Sequence, residues 1–211
     1  MSATRPPRFE LPGKWGRINL DSDASIQRSI RRVVDEVTVR RDDLAVPRAE
    51  LRQRFQKAAE VARDGGATDF YVAFHLVPTI PLPAWIAVFT PEIESTDFQA
   101  LGIGELVGFL DEGMSTWGDE SAEVRAGATG EDGRIHAVRH SWRRVVDVVE
   151  QDVERTFDFV EADYWIAARE PNRIALLTFS TALAEYEQEM LALFDAVVST
   201  IRWPATPVAA S

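Results

Sequence analysis

Cysteine is absent from the chain, which removes disulfides, thiolate nucleophiles and cysteine-bound metals together. Histidine is scarce. Of the three copies, His136 and His140 lie four apart in a segment read as a strand, on one side but about 13 Å apart. They cannot share a metal ion without distorting the strand, and no His-Glu-x-x-His pattern helps, so no metal site is expected. A Gly-x-Ser-x-Gly elbow is also missing, and Ser141 beside His140 points to the opposite strand face. Basic residues are missing altogether between Arg63 and Arg125.

The charge that is present is divided unevenly. Residues 1 to 63 carry fourteen Lys and Arg against nine acids, a balance of +5, and residues 64 to 211 carry −16, for a total of −11. Two readings follow: basic amino-terminal helices neutralise an acidic sheet face, or they meet a partner or a second copy of the chain. A pI near 4.8 disfavours nucleic acid, which needs a concentrated basic face. From Phe70 to Pro91 there is no Asp, Glu, Lys or Arg, but Pro78, Pro81 and Pro83 would break a spanning helix and fit a turn between buried strands. Pro78-Thr-Ile-Pro81 therefore reads as a turn and not as a ligand for a proline-reading domain. The opening Met-Ser-Ala-Thr-Arg-Pro-Pro-Arg lacks the apolar run of a signal peptide. A cytoplasmic protein without a membrane span is expected.

At 211 residues the chain fits one domain with a radius of gyration of about 17 Å. Residues 1–8 read as a loose arm, 9–203 as the domain and 204–211 as a tail. A first strand covers Trp15 to Leu20. Asp21 and Asp23 stand at an N-cap position, and Ile26, Ile30, Val33, Val34 and Val37 then recur at helical spacing. A second helix starts near Pro47, buries Leu51, Phe55, Ala58, Ala59 and Ala62, and stops at Gly65-Gly66. Strands follow over 69–77 and 84–89, then a helical segment over 104–114. Segments 122–126 and 134–149 flank Gly130-Glu-Asp-Gly133, a hairpin signal. Strands over 154–168 and 173–181 meet at Glu170-Pro-Asn172. A final helix lines up Leu183, Tyr186, Met190, Phe194, Val197 and Ile201. Consecutive strands imply hairpins, so the predicted class is α+β, a mainly antiparallel sheet packed between α-helices.

Gly102-Ile-Gly104-Glu-Leu-Val-Gly108 has phosphate-loop spacing, but a polar stretch precedes it where a strand is required. It reads as a helix start, and no cofactor is expected. The acid pairs Asp111-Glu112, Asp119-Glu120 and Glu131-Asp132 read as solvated. No catalytic residue stands out. Arg139, Trp142, Arg143 and Arg144 form the one arginine–tryptophan cluster in the acidic part, and these residue types favour interface hot spots. They are the candidate partner-binding residues.

Leu11-Pro-Gly-Lys-Trp15 ahead of a strand, and Ile174-Ala-Leu-Leu-Thr-Phe-Ser180 leading into Tyr186, Phe194 and Ile201, resemble the PsbP-like/Mog-type superfamily and its DcrB-like bacterial proteins. That resemblance implies an antiparallel sheet between helices, used for docking onto other proteins, as in secretion chaperones. It transfers no catalytic set. The functional expectation is a non-enzymatic protein-binding module, an adaptor or secretion chaperone, monomeric or weakly self-associating. The alternatives are a small-ligand or lipid carrier with a pocket between the helices and the 70–89 strands, or an enzyme without a recognisable motif.

Overall fold

The computed structural model describes residues 6–37, 45–78, 80–91, 127–129, 135–150, 153–168 and 173–202. The fold is α+β, with antiparallel strands and packed helices. Its residues fall into two compact units, Pro12–Phe89 and the combination of Met1–Leu11 with Thr90–Ser211. The sequence reading placed 9–203 in one domain.

In the first unit, β1 (Lys14–Asn19) and β4 (Ala84–Phe89) flank β2 (Ala67–Val77), both antiparallel to it. The proline cluster is more than a turn, because Ile80–Pro81 forms a short β3 paired back on β2. Helix α1 (Asp23–Val37) buries Ile26, Ile30, Val33 and Val34 against Ile18, Phe70, Val72 and Ala87. Each such side chain removed from water contributes about 1.5–3 kcal/mol. Close contact depends on Gly16, where a Cβ would stand 2.7 Å from Val33 Cγ2 and 2.9 Å from Phe74 Cζ. The α1 N-cap is Ser22 rather than either aspartate. Its Oγ accepts the Ser25 N–H at 3.2 Å, and Asp23 occupies the first turn.

Helix α2 (Ala45–Asp64) packs beside α1 and stops at Gly65-Gly66, where Gly66 takes φ +88°. Two of the helix arginines reach carboxylates within the same pair of helices, while Arg28 donates to Ser25 Oγ at 3.1 Å and Arg32 to the Arg17 carbonyl at 3.2 Å. Arg52 reaches Asp35 at 3.3 Å and Arg63 reaches Asp23. In the same unit β1 supplies Arg17 to the buried Asp69 at 2.5 Å.

The second unit contains an antiparallel meander. Strand β5 (Gly127–Thr129) pairs with β6 (Ile135–Glu150), β6 with β7 (Val153–Ala168), and β7 with β8 (Arg173–Thr181). Helix α3 (Glu187–Ser199), preceded by a 3-10 turn at Ala184–Tyr186, buries Met190, Phe194, Val197 and Val198. The predicted stripe holds from Met190 to Ile201 but loses Tyr186, which is half-exposed. Three residues per turn in the 3-10 segment rotate that side chain off the face that 3.6 residues per turn would give it. Residues 6–8 are tied in rather than loose. Pro7 is buried, and Arg8 exchanges backbone hydrogen bonds of 2.8 Å with Arg202. The expected 104–114 helix, its glycine motif, the 130–133 and 170–172 turns, the acid pairs and the 204–211 tail lie outside the described residues.

Candidate functional site

The β6–β7 register is unbroken from Ile135↔Ala168 to Glu150↔Val153. Because strand side chains alternate between faces, this register divides the arginine–tryptophan cluster in two. Arg139 and Arg143 lie on the face that meets α3, and Trp142 and Arg144 lie on the other.

On the α3 face, Arg139 is 3% exposed and its Nη1 donates to both Asp195 oxygens at 3.0 and 2.9 Å. Tyr164 donates its hydroxyl to the same carboxylate at 2.6 Å. Burial, and then Asp195, push the Tyr164 phenol far above its usual range. Arg139 is therefore a structural tie and is not available at the surface. Arg143 is exposed, and donates to Glu187 at 2.8 Å and to the Ala184 carbonyl at 3.1 Å.

The opposite face carries a buried polar row. His140 stands opposite Asp163, which stands opposite Thr178, and Trp142 stands opposite Glu161, which stands opposite Ser180. The imidazole stacks on the Trp142 ring at 5.0 Å, and its Nε2 is buried with no hydrogen-bond partner among the described residues. Arg144 reaches over from the next row. Its Nη2 and Nε donate to Glu161 at 2.5 and 2.9 Å, and its guanidinium lies 5.0 Å above the Phe159 ring. Sequence reading missed Glu161 and Asp163, because only the cross-strand register brings them beneath His140 and Trp142. Ser141 faces away from His140's side, and the hydroxyls of the row, Thr178 and Ser180, stand on β8, one strand beyond the carboxylates. His75 belongs to the other unit. Among the described residues no three His, Asp or Glu side chains are grouped to hold a metal.

Burial raises the Glu161 carboxyl above its ordinary range, opposed by Arg144 and Ser180, and burial raises Asp163 likewise, opposed by Thr178 and His140. The folded chain therefore holds these protons more tightly than the unfolded chain. Their contribution to stability is fully present below about pH 4 and is lost as pH rises through the folded values. Glu161→Gln combined with Asp163→Asn is expected to flatten the rise in thermal midpoint on acidification from neutral pH. Calorimetry across that range checks it, and an unchanged slope would remove these two carboxyls as the cause.

Beyond β8 the hairpin continues alone. The β7–β8 ladder ends at Val160↔Thr181, so 144–150 and 153–159 form a two-stranded ribbon with no third strand among the described residues. The ribbon carries contacts of its own: across the strands Thr156 donates to Asp147 at 2.7 Å, and along β7 the Phe157 and Phe159 rings lie 6.5 Å apart. It also leaves apolar side chains in water, Val145 at 61% exposure on one face and Phe157 at 39% on the other.

In the first unit a groove of about 490 Å³ runs between α1 and α2, lined by Gln27, Ile30, Arg31, Arg52, Gln56 and Glu60. It lies between the two helices, whereas the carrier alternative called for a pocket between the helices and the 70–89 strands. Among the described residues no helix is long and apolar enough to cross a membrane. No family model matches the chain, and no curated protein matches its sequence.

Proposed function

We propose that the protein is a non-enzymatic, cytoplasmic protein-binding module, an adaptor or secretion chaperone, which engages its partner through the ribbon face carrying Trp142, Arg144, Phe157 and Phe159. The observation that carries this reading is the ribbon itself. It extends past the sheet with exposed apolar side chains, bordered by a tryptophan and an arginine of the kind that anchor interfaces. A two-stranded ribbon alone is marginally stable in water, so a partner laid on it would gain by completing it. The resemblance of the chain's two ends to the PsbP-like superfamily, whose members dock onto other proteins, supports the same reading.

The test is a photo-crosslinking side chain placed at Phe157 in the full chain inside its native cells, with Val61, exposed on α2, as the control site. A discrete partner is expected from position 157 and not from 61. Trp142→Ala with Phe157→Ser should then weaken capture of that partner on the order of a hundredfold. Because Trp142 also stacks on the buried His140, Phe157→Ser alone, at an exposed position, is the variant that separates lost binding from lost stability. Capture that survives both substitutions would assign binding to another surface.

A further inference from the structure

We infer that two copies of this chain associate through the outer edge of β6, pairing antiparallel about a two-fold axis at Val145. The inference concerns the edge of the ribbon, so it stands whether or not the face binds another protein.

Strand β6 pairs with β7 along its whole length, but on its other side only Ile135–Ala137 has a partner, β5, among the described residues. From Ile135 to Glu150 there is neither lysine nor proline, the residues that usually guard an edge against pairing. Val145, at 61% exposure, lies in this stretch.

The charges select the partner and the register. Residues opposite each other in an antiparallel pair share a face, so a symmetric pairing of β6 with itself must centre on a residue. A centre at Arg143, Arg144 or Asp147 sets a like charge against its own copy. A centre at Val145 sets Arg143 of one copy opposite Asp147 of the other, twice, and Val145 against Val145. Arg143 and Asp147 are both exposed and both on the α3 face. Beyond Glu187 and the Ala184 carbonyl Arg143 keeps further N–H donors, and beyond Thr156 the Asp147 carboxylate keeps further acceptor positions. The segment is thus complementary to itself, and the two ribbons would join into four strands.

The absence of cysteine supplies the test. Val145→Cys places one thiol per chain at the axis, where directly opposed Cβ atoms come within about 5.5 Å. Under mild oxidation this full-length variant is expected to form a disulfide-linked dimer rapidly. Val61→Cys, equally exposed on α2, should not. In sedimentation the unmodified chain should show a concentration-dependent dimer below about 100 μM, and Asp147→Arg should weaken it on the order of tenfold. Three results would each overturn the inference: a monomer throughout that range, equal cross-linking at positions 145 and 61, or a dimer indifferent to Asp147→Arg.

Discussion

Asp195→Ala is expected to lower the free energy of unfolding by about 3–5 kcal/mol, the usual cost of removing one member of a buried ion pair. The two members are not equivalent. Arg139 is 3% exposed, whereas the Asp195 side chain is 32% exposed. Deleting the carboxylate takes from a buried guanidinium the countercharge that both Nη1 hydrogen bonds reach, and takes from Tyr164 the acceptor of its hydroxyl. Deleting the cation with Arg139→Met leaves a carboxylate that water can reach and fills much of the vacated space with methylenes, so its cost should be clearly smaller. Urea unfolding of both variants checks the order. If Arg139→Met proved the more damaging, the tie between β6, β7 and α3 would depend on the packing of the arginine stem rather than on charge.

The second large effect is expected at Phe194, where truncation to alanine should cost about 3–5 kcal/mol. Its ring is fully buried, 4.6 Å from Phe179, which in turn meets Tyr164 edge-on at 5.2 Å. This stack holds α3 on the sheet, and the hole left by the ring would be bordered by strand side chains that cannot collapse into it. Chemical unfolding measures the loss, with Val61→Ala on exposed α2 as a control expected to change almost nothing. Phe194 is next to Asp195 in sequence and their partners Phe179 and Tyr164 touch, so the two large effects should not add. The shortfall in the double variant measures their coupling.

Much of this architecture is legible from periodicity. The apolar spacing of Ile26, Ile30, Val33 and Val34 defines α1, and the long Val- and aromatic-rich segments define β6, β7 and β8 within a residue or two of their observed ends. The candidate site is only partly legible. Arg139 through Arg144 look like one patch when read along the chain, yet alternation on a strand was enough to separate Arg139 and Arg143 from Trp142 and Arg144. What the linear pattern does not contain is register. That Glu161 sits between Trp142 and Ser180, or that Asp195 receives both Arg139 and Tyr164, depends on pairings between distant residues, and no local preference encodes them. The N-cap shows a smaller version of the same limit. Asp21, Ser22 and Asp23 are all good caps by type, and only the backbone geometry gives the role to Ser22.

The order of the strands also sets a timetable for folding. In the meander, each of β5 to β8 pairs with its neighbour in sequence, so it can close hairpin by hairpin, and each step joins residues close together in the chain. Strand β1 must wait until α1, α2 and their connection have passed before it meets β2, as Ile18 meets Phe70. That long-range closure is paid in chain entropy before its contacts reward it, and on that ground the β1–β2 ladder is the late, slow event of its unit.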